Sequence, residues 1–201
     1  MKRGLLVALW AFLLLSPQLV GATEEGRQIA KAFCVACHGE NGNAVETTNP
    51  KLAGQLRDFI ELQLKNYRSG ERSNPIMAAI AKPLSDRDIA AVSAYYAGLP
   101  PMKFTGRVAA ELAARGEVIF SKGKPCAPAC RYCHGSHGEG VAPVFARLAG
   151  QYPKFVVDSL QPYRKESKFG NPYAYVMKAV VQELSDSDIE AVAAYVASLS
   201  R

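Results

Sequence analysis

Cys34-Val35-Ala36-Cys37-His38 and Cys130-Arg131-Tyr132-Cys133-His134 are two copies of the pattern C-x-x-C-H in one chain of 201 residues. In that pattern two thiols lie about one helical turn apart, and each can add to a vinyl group of one porphyrin while the adjoining imidazole reaches the iron. C-x-x-C alone also fits a dithiol redox pair or half of a zinc site. A redox pair needs no following histidine, and a zinc site would draw on paired motifs close together in the sequence, whereas these lie far apart. The residues therefore predict two covalently attached haem c groups. Cys34, Cys37, Cys130 and Cys133 are the attachment points, and His38 and His134 are axial iron ligands.

Working outward, the alignment of His38 with His134 also aligns Leu52-Ala53-Gly54-Gln55 with Leu148-Ala149-Gly150-Gln151 without a gap. Apolar stripes at helical spacing follow each, Leu56, Ile60, Leu64, Tyr67 and Tyr152, Val156, Leu160, Tyr163. Four extra residues enter the second copy, and then 13 of 23 positions are identical between Met77–Leu99 and Met177–Leu199. This is a duplicated domain. Ser85 with Asp88, and Ser185 with Asp188, are capping signals that open a closing amphipathic helix in each half. Gly98-Leu99-Pro100-Pro101 ends the first of these, because proline cannot donate and disfavours helix in the residue before it. No useful length shows the period-2 alternation of strands, so the fold class is all-α, with three to five helices around a haem in each half. The expected segments are a signal peptide at 1–22, a first domain at 23–99, a linker at 100–106 and a second domain at 107–201.

The sixth iron position decides function. His137 is tied by sequence to the proximal side of its own haem, which leaves Met77, Met102 and Met177 beyond the leader. A methionine on an apolar helix is usually core, but Met77 and Met177 occupy the same repeat position, each seven residues before Leu-Ser-Asp. Met102 has no counterpart. Met77 and Met177 are thus the expected sixth ligands. A thioether favours iron(II) more than a second imidazole does, so His/Met ligation raises the reduction potential. It also fills the position that oxygen or peroxide would need, which predicts an electron carrier and not an enzyme, with no catalytic residues.

Lys2 and Arg3, the apolar run Leu5 to Leu15 and the small residues ending at Ala22 read as an export signal cleaved near Ala22, and place the mature chain in the periplasm. The run is shorter than the ~20 residues a spanning helix needs. The 24 basic and 18 acidic residues leave an excess of positive charge that lies mainly in the second half. That excess fits solvated faces or a docking surface, and gives no reason to invoke nucleic acid.

Several neighbours carry two readings. Pro50 either forms a turn or presents its carbonyl to the free ring nitrogen of His38, with Ala146 at the matching place. Arg68, Arg72, Arg164 and Lys168 either are solvated or pair with haem propionates. Tyr67 and Tyr163 either pack in the core or bond a propionate. Cys126 has no partner if both motifs carry haem, and is either an idle thiol or an intermolecular link. His137 reads as an exposed loop residue.

The duplicated C-x-x-C-H, the Leu-Ala-Gly-Gln after each, the Tyr-Arg-Ser-Gly-Glu-Arg stretch from Tyr67 and the Leu-Ser-Asp-x-Asp-Ile helices resemble the cytochrome c4 family. The resemblance implies two tandem class I cytochrome c domains related by a pseudo-twofold axis, with haems facing each other across the interface. It implies periplasmic electron transfer in a respiratory chain, from a bc complex or another donor toward a haem-copper terminal oxidase, and allows peripheral membrane association. The haem ligands it implies fall on Cys34, Cys37, His38 and Met77, and on Cys130, Cys133, His134 and Met177. The chain departs from the pattern at Ala146, at Pro162, which interrupts a helix that runs through Asn66 in the first half, and at the extra Cys126. The alternative is a dihaem subunit of a dehydrogenase complex, such as a flavocytochrome c sulfide dehydrogenase.

Overall fold

The computed structural model describes residues 17–165 and 173–199. The first half holds α1 (Pro17–Phe33), α2 (Val35–His38), α3 (Arg57–Ser69), α4 (Pro75–Ala81) and α5 (Asp86–Ala97). The second holds α6 (Ala110–Lys122), α7 (Arg131–His134), α8 (Pro153–Leu160), α9 (Pro162–Lys165), α10 (Ala174–Gln182) and α11 (Asp186–Ser198). The all-α expectation holds: among the described residues the only β-pairing is two isolated bridges, Lys124 with Ala127 and Val141 with Phe145. The second half exceeds the expected three to five helices because Pro162 splits one: α3 runs unbroken through Asn66, whereas its counterpart stops at Leu160 and resumes at Pro162.

The predicted capping boxes are both formed, with Ser85 and Ser185 each accepting from the N–H of the aspartate three residues on. They start α5 and α11, whose apolar faces build the two cores. Ile89, Val92 and Tyr96 pack with Ile60, Leu64 and Leu84 in the first half. Ile189, Val192 and Val196 pack with Phe120, Val156 and Val181 in the second.

The first and last long helices of each half cross, α1 against α5 and α6 against α11. Glycine permits that approach: a Cβ on Gly26 would overlap the carbonyl of Ala91, and one on Gly116 that of Ala191. Gly116→Val must push two helix backbones apart. It is expected to destabilise the second half by about 3 kcal/mol, or roughly 10 °C in thermal midpoint, as followed by circular dichroism.

A reciprocal clamp joins the halves. Gln55 donates from Nε2 to the carbonyl of Arg147 at 3.0 Å and accepts the Arg147 N–H at Oε1 at 2.8 Å. Gln151 does the same to Lys51, accepting its N–H at 3.0 Å and donating to its carbonyl at 3.1 Å. These pairs exchange when the halves are exchanged, as an isologous twofold contact requires. The segment between α5 and α11's partner α6 lies under the clamp: Met102 is fully buried, donates its N–H to the carbonyl of Ala53 at 2.9 Å, and receives a contact from Gln151 Nε2 at 3.6 Å. That location accounts for Met102 without any role in ligation.

The expected cleavage point after Ala22 falls inside α1 of the full chain, and the leader residues 1–16 lie outside the described residues. Among the described residues no helix is long and apolar enough to cross a membrane.

Candidate functional site

In each half a one-turn helix carries the C-x-x-C-H residues, and a loop folds back beneath it. Leu52 and Ala53 donate their N–H groups to the carbonyl of Gly42, at 2.7 and 3.1 Å, and Leu148 and Ala149 do so to Gly138, at 2.8 and 3.0 Å. The loop so pinned presents one carbonyl to each imidazole. His38 Nδ1–H donates to the carbonyl of Pro50 at 2.9 Å, and His134 Nδ1–H donates to that of Ala146 at 2.9 Å.

A carbonyl can only accept, so the proton sits on Nδ1 and the Nε2 lone pair is left free in both rings. Burial pulls both imidazoles below their ordinary pKa, against the opposing bonds to Pro50 and Ala146, which keeps them neutral. The orienting role of Pro50 is thus seen, and Ala146 performs it equally, because the donor reads a main-chain carbonyl whatever side chain it carries.

Against each core the same residue types gather. Cys34, Leu52, Tyr67 and Met77 pack against the first core, and Cys130, Leu148, Tyr163 and Met177 against the second. Met77 stands in the first turn of α4, its N–H accepted by Asn74 Oδ1 at 3.0 Å. Met177 stands in the first turn of α10, its N–H donated to the carbonyl of Tyr173 at 3.3 Å. Each half therefore sets one thiol and a thioether against its core, and carries on the adjoining one-turn helix a second thiol and an imidazole with a free nitrogen. That donor set fits a haem c.

It fits the alternatives less well. Burial pushes the Cys34 and Cys130 thiols up to about 11, opposite to the depressed values of reactive C-x-x-C pairs. Among the described residues no three His, Cys, Asp or Glu side chains come together as a metal cluster of that kind would need.

The guanidinium groups of Arg68 and Arg164 hold protein partners. Arg68 donates to the carbonyl of Leu84 at 2.7 Å and to Asp86 at 2.5 Å. Arg164 donates to the carbonyl of Leu184 and to Asp186. Both tie the middle helix of their half to the start of its last helix, and the matched positions reflect a shared structural bond. Arg72 donates to Gln63 at 2.6 Å and lies 4.8 Å over the Tyr67 ring. Lys168 lies outside the described residues. Cys126 and His137 are exposed, and Cys126 is unpaired.

The sequence reading missed what Leu-Ala-Gly-Gln does and what precedes it. Lys51 is 4% exposed, its ammonium donating to the carbonyl of Lys103 and lying 4.4 Å over the Tyr152 ring. Burial pulls it below the usual lysine range. The signal available in the sequence was the repeat of a basic residue, Lys51 and Arg147, directly before each Leu-Ala-Gly-Gln.

The cytochrome c family model matches residues 23–99 and 113–200. The chain is similar to a cytochrome c4 of Thiocapsa roseopersicina, 36% identical over 92% of this chain and 96% of that one. It is also similar to a thiosulfate dehydrogenase electron acceptor of Stutzerimonas stutzeri, 34% identical over 95% of this chain and 93% of that one. Its fold superposes on the crystal structure of reduced cytochrome c4 from Pseudomonas stutzeri with a TM-score of 0.81 at 30% identity, covering 89% of this chain and 98% of that one.

Proposed function

Since the chain belongs to the cytochrome c4 family of electron-carrying proteins, we propose that it takes single electrons from a periplasmic donor and delivers them toward a haem-copper terminal oxidase. Each half holds one haem c, bound through Cys34 and Cys37 or Cys130 and Cys133, with His38 and Met77, or His134 and Met177, as axial ligands. The haem supplies the redox couple, an iron cycling between its two oxidation states.

The chain's own residues do the rest. The carbonyls of Pro50 and Ala146 keep each imidazole in one tautomer and orientation, so the ligand has no rearrangement to make when charge changes. Met77 and Met177 close the remaining axial position and favour the reduced state. The two cores exclude water, and the glutamine clamp keeps the two sites in a constant relation. Export to the periplasm through cleavage near Ala22 is part of the same reading.

The single observation that carries this is the duplicated set of two thiols and a carbonyl-oriented imidazole along one turn, with a thioether packed against the core of the same half. The donor reading has one specific support: a relative of nearly the same length is named an electron acceptor of thiosulfate dehydrogenase. A periplasmic dehydrogenase of a reduced sulfur compound is therefore the second reading for the donor side, beside a bc complex.

The test is haem content and carbon monoxide binding on the reduced, purified protein. Two haems per chain with neither spectrum changed by the gas is the expected result. Ready binding at one haem would overturn methionine ligation there.

A further inference from the structure

Lys51 is a cation buried in the seam between the halves. On one side its backbone follows Pro50, whose carbonyl orients His38. On the other side its N–H and carbonyl are held by Gln151, and its ammonium lies over the ring of Tyr152. Among the described residues no carboxylate pairs with it; its partners are a carbonyl and an aromatic face, both of which favour the charged ammonium. Burying a charge without an opposite one is costly, and the fold retains it at the centre of the pseudo-twofold contact.

The matched residue in the second half is different. Arg147 has Glu139 near enough for the carboxylate to act on its charge, while Asn43 stands where Glu139 would lie in the first half. Among the described residues the seam therefore holds one cation with a carboxylate near it and one without. A fixed positive charge beside an iron opposes the extra positive charge of the oxidised state and favours the reduced one.

We propose that Lys51 is a positioning residue for electron transfer, its seam charge raising the reduction potentials of the pair of haems. The proposal rests on the reading that each half holds a haem at its histidine and methionine.

The experiment is a spectroelectrochemical titration of the full holoprotein, parent against Lys51→Met, Lys51→Arg and Arg147→Met, with haem content measured in each. At a fixed ambient potential Lys51→Met is expected to raise the oxidised-to-reduced ratio about tenfold, equivalent to about 59 mV for one electron. Lys51→Arg, which keeps the charge, is expected to titrate with the parent, and Arg147→Met to shift less than Lys51→Met. If Lys51→Met does not accumulate with two haems, Lys51→Gln is titrated in its place with the same expected shift.

Unchanged potentials in the neutral variant, or an equal fall in Lys51→Arg, would overturn the role of the charge while leaving two haems per chain intact. A parent lacking two haems would instead overturn the haem reading on which it rests.

Discussion

Met77→Ala lowers the reduction potential of the first haem and opens its iron to carbon monoxide, while the second haem titrates as in the parent. In this reading the thioether is the donor opposite the imidazole, and alanine supplies none. With the soft ligand gone, water or another hard donor takes its place and favours iron(III). The expected fall in potential is at least about 120 mV, which at 59 mV per decade raises the oxidised-to-reduced ratio about 100-fold at fixed ambient potential. The helix itself survives, since Asn74 accepts the N–H of residue 77 whatever its side chain. Redox titration with gas binding on the same sample checks it. Unchanged potentials with a closed iron would exclude Met77 as the ligand, and Met177→Ala gives the same test in the second half.

Asp188→Ala should cost the second half clearly more stability than the matched change, Asp88→Ala, costs the first. The side chain is 5% exposed and accepts from Arg115 at 2.5 Å and Lys124 at 2.6 Å. It also accepts the Ser185 N–H at 3.0 Å, closing the capping box that starts α11. Burial works against ionisation, but the bonds from Lys124, Ser185 and Arg115 overcome it and hold the carboxyl far below the usual carboxylate range. Removing it takes the carboxylate from two half-exposed cations and opens one side of the capping box, leaving the Ser185 hydroxyl bond to the N–H of residue 188, a loss of about 2 to 3 kcal/mol.

The acid dependence follows from the same bonds. The folded pKa lies below the unfolded value near ~4, so this stabilisation is fully present above ~4 and is lost as the pH falls toward the folded value. Urea unfolding midpoints at pH 7 and pH 3 should therefore converge in Asp188→Ala relative to the parent. Asp88 is the internal control: it closes the same capping box in the first half, but among the described residues no lysine or arginine pairs with it. Asp88→Ala should lose only the bonds from Ser85 to the carboxylate, while the Ser85 hydroxyl still accepts the N–H of residue 88.

This comparison also marks where repeat logic stops. The sequence aligns Asp88 with Asp188 as equal capping residues, and both do cap. Lys124, however, lies in a loop that the first half lacks, and its ammonium makes the second aspartate the anchor of that loop. Cys126 sits in the same loop, exposed and unpaired.

The arginines teach the opposite lesson. Arg68 and Arg164 recur at matched places, and recurrence records any bond that both copies need. Here that bond is to the chain at Leu84 and Asp86, and at Leu184 and Asp186.

From the residues alone came the duplicated all-α plan, the C-x-x-C-H pairs, the repeated methionines, the capping boxes and the break at Pro162. Each is a matter of spacing within a few turns of chain, where backbone geometry fixes which side chains can meet. Only the tertiary structure decided the rest: that Gln55 and Gln151 clamp the opposite half, that Met102 of the linker is sealed under that clamp, and that Lys51 is buried with no carboxylate paired to it among the described residues. Those outcomes depend on which distant segments come to face each other across the pseudo-twofold seam, and a glutamine or lysine carries no local mark of whether its polar end meets water or another backbone.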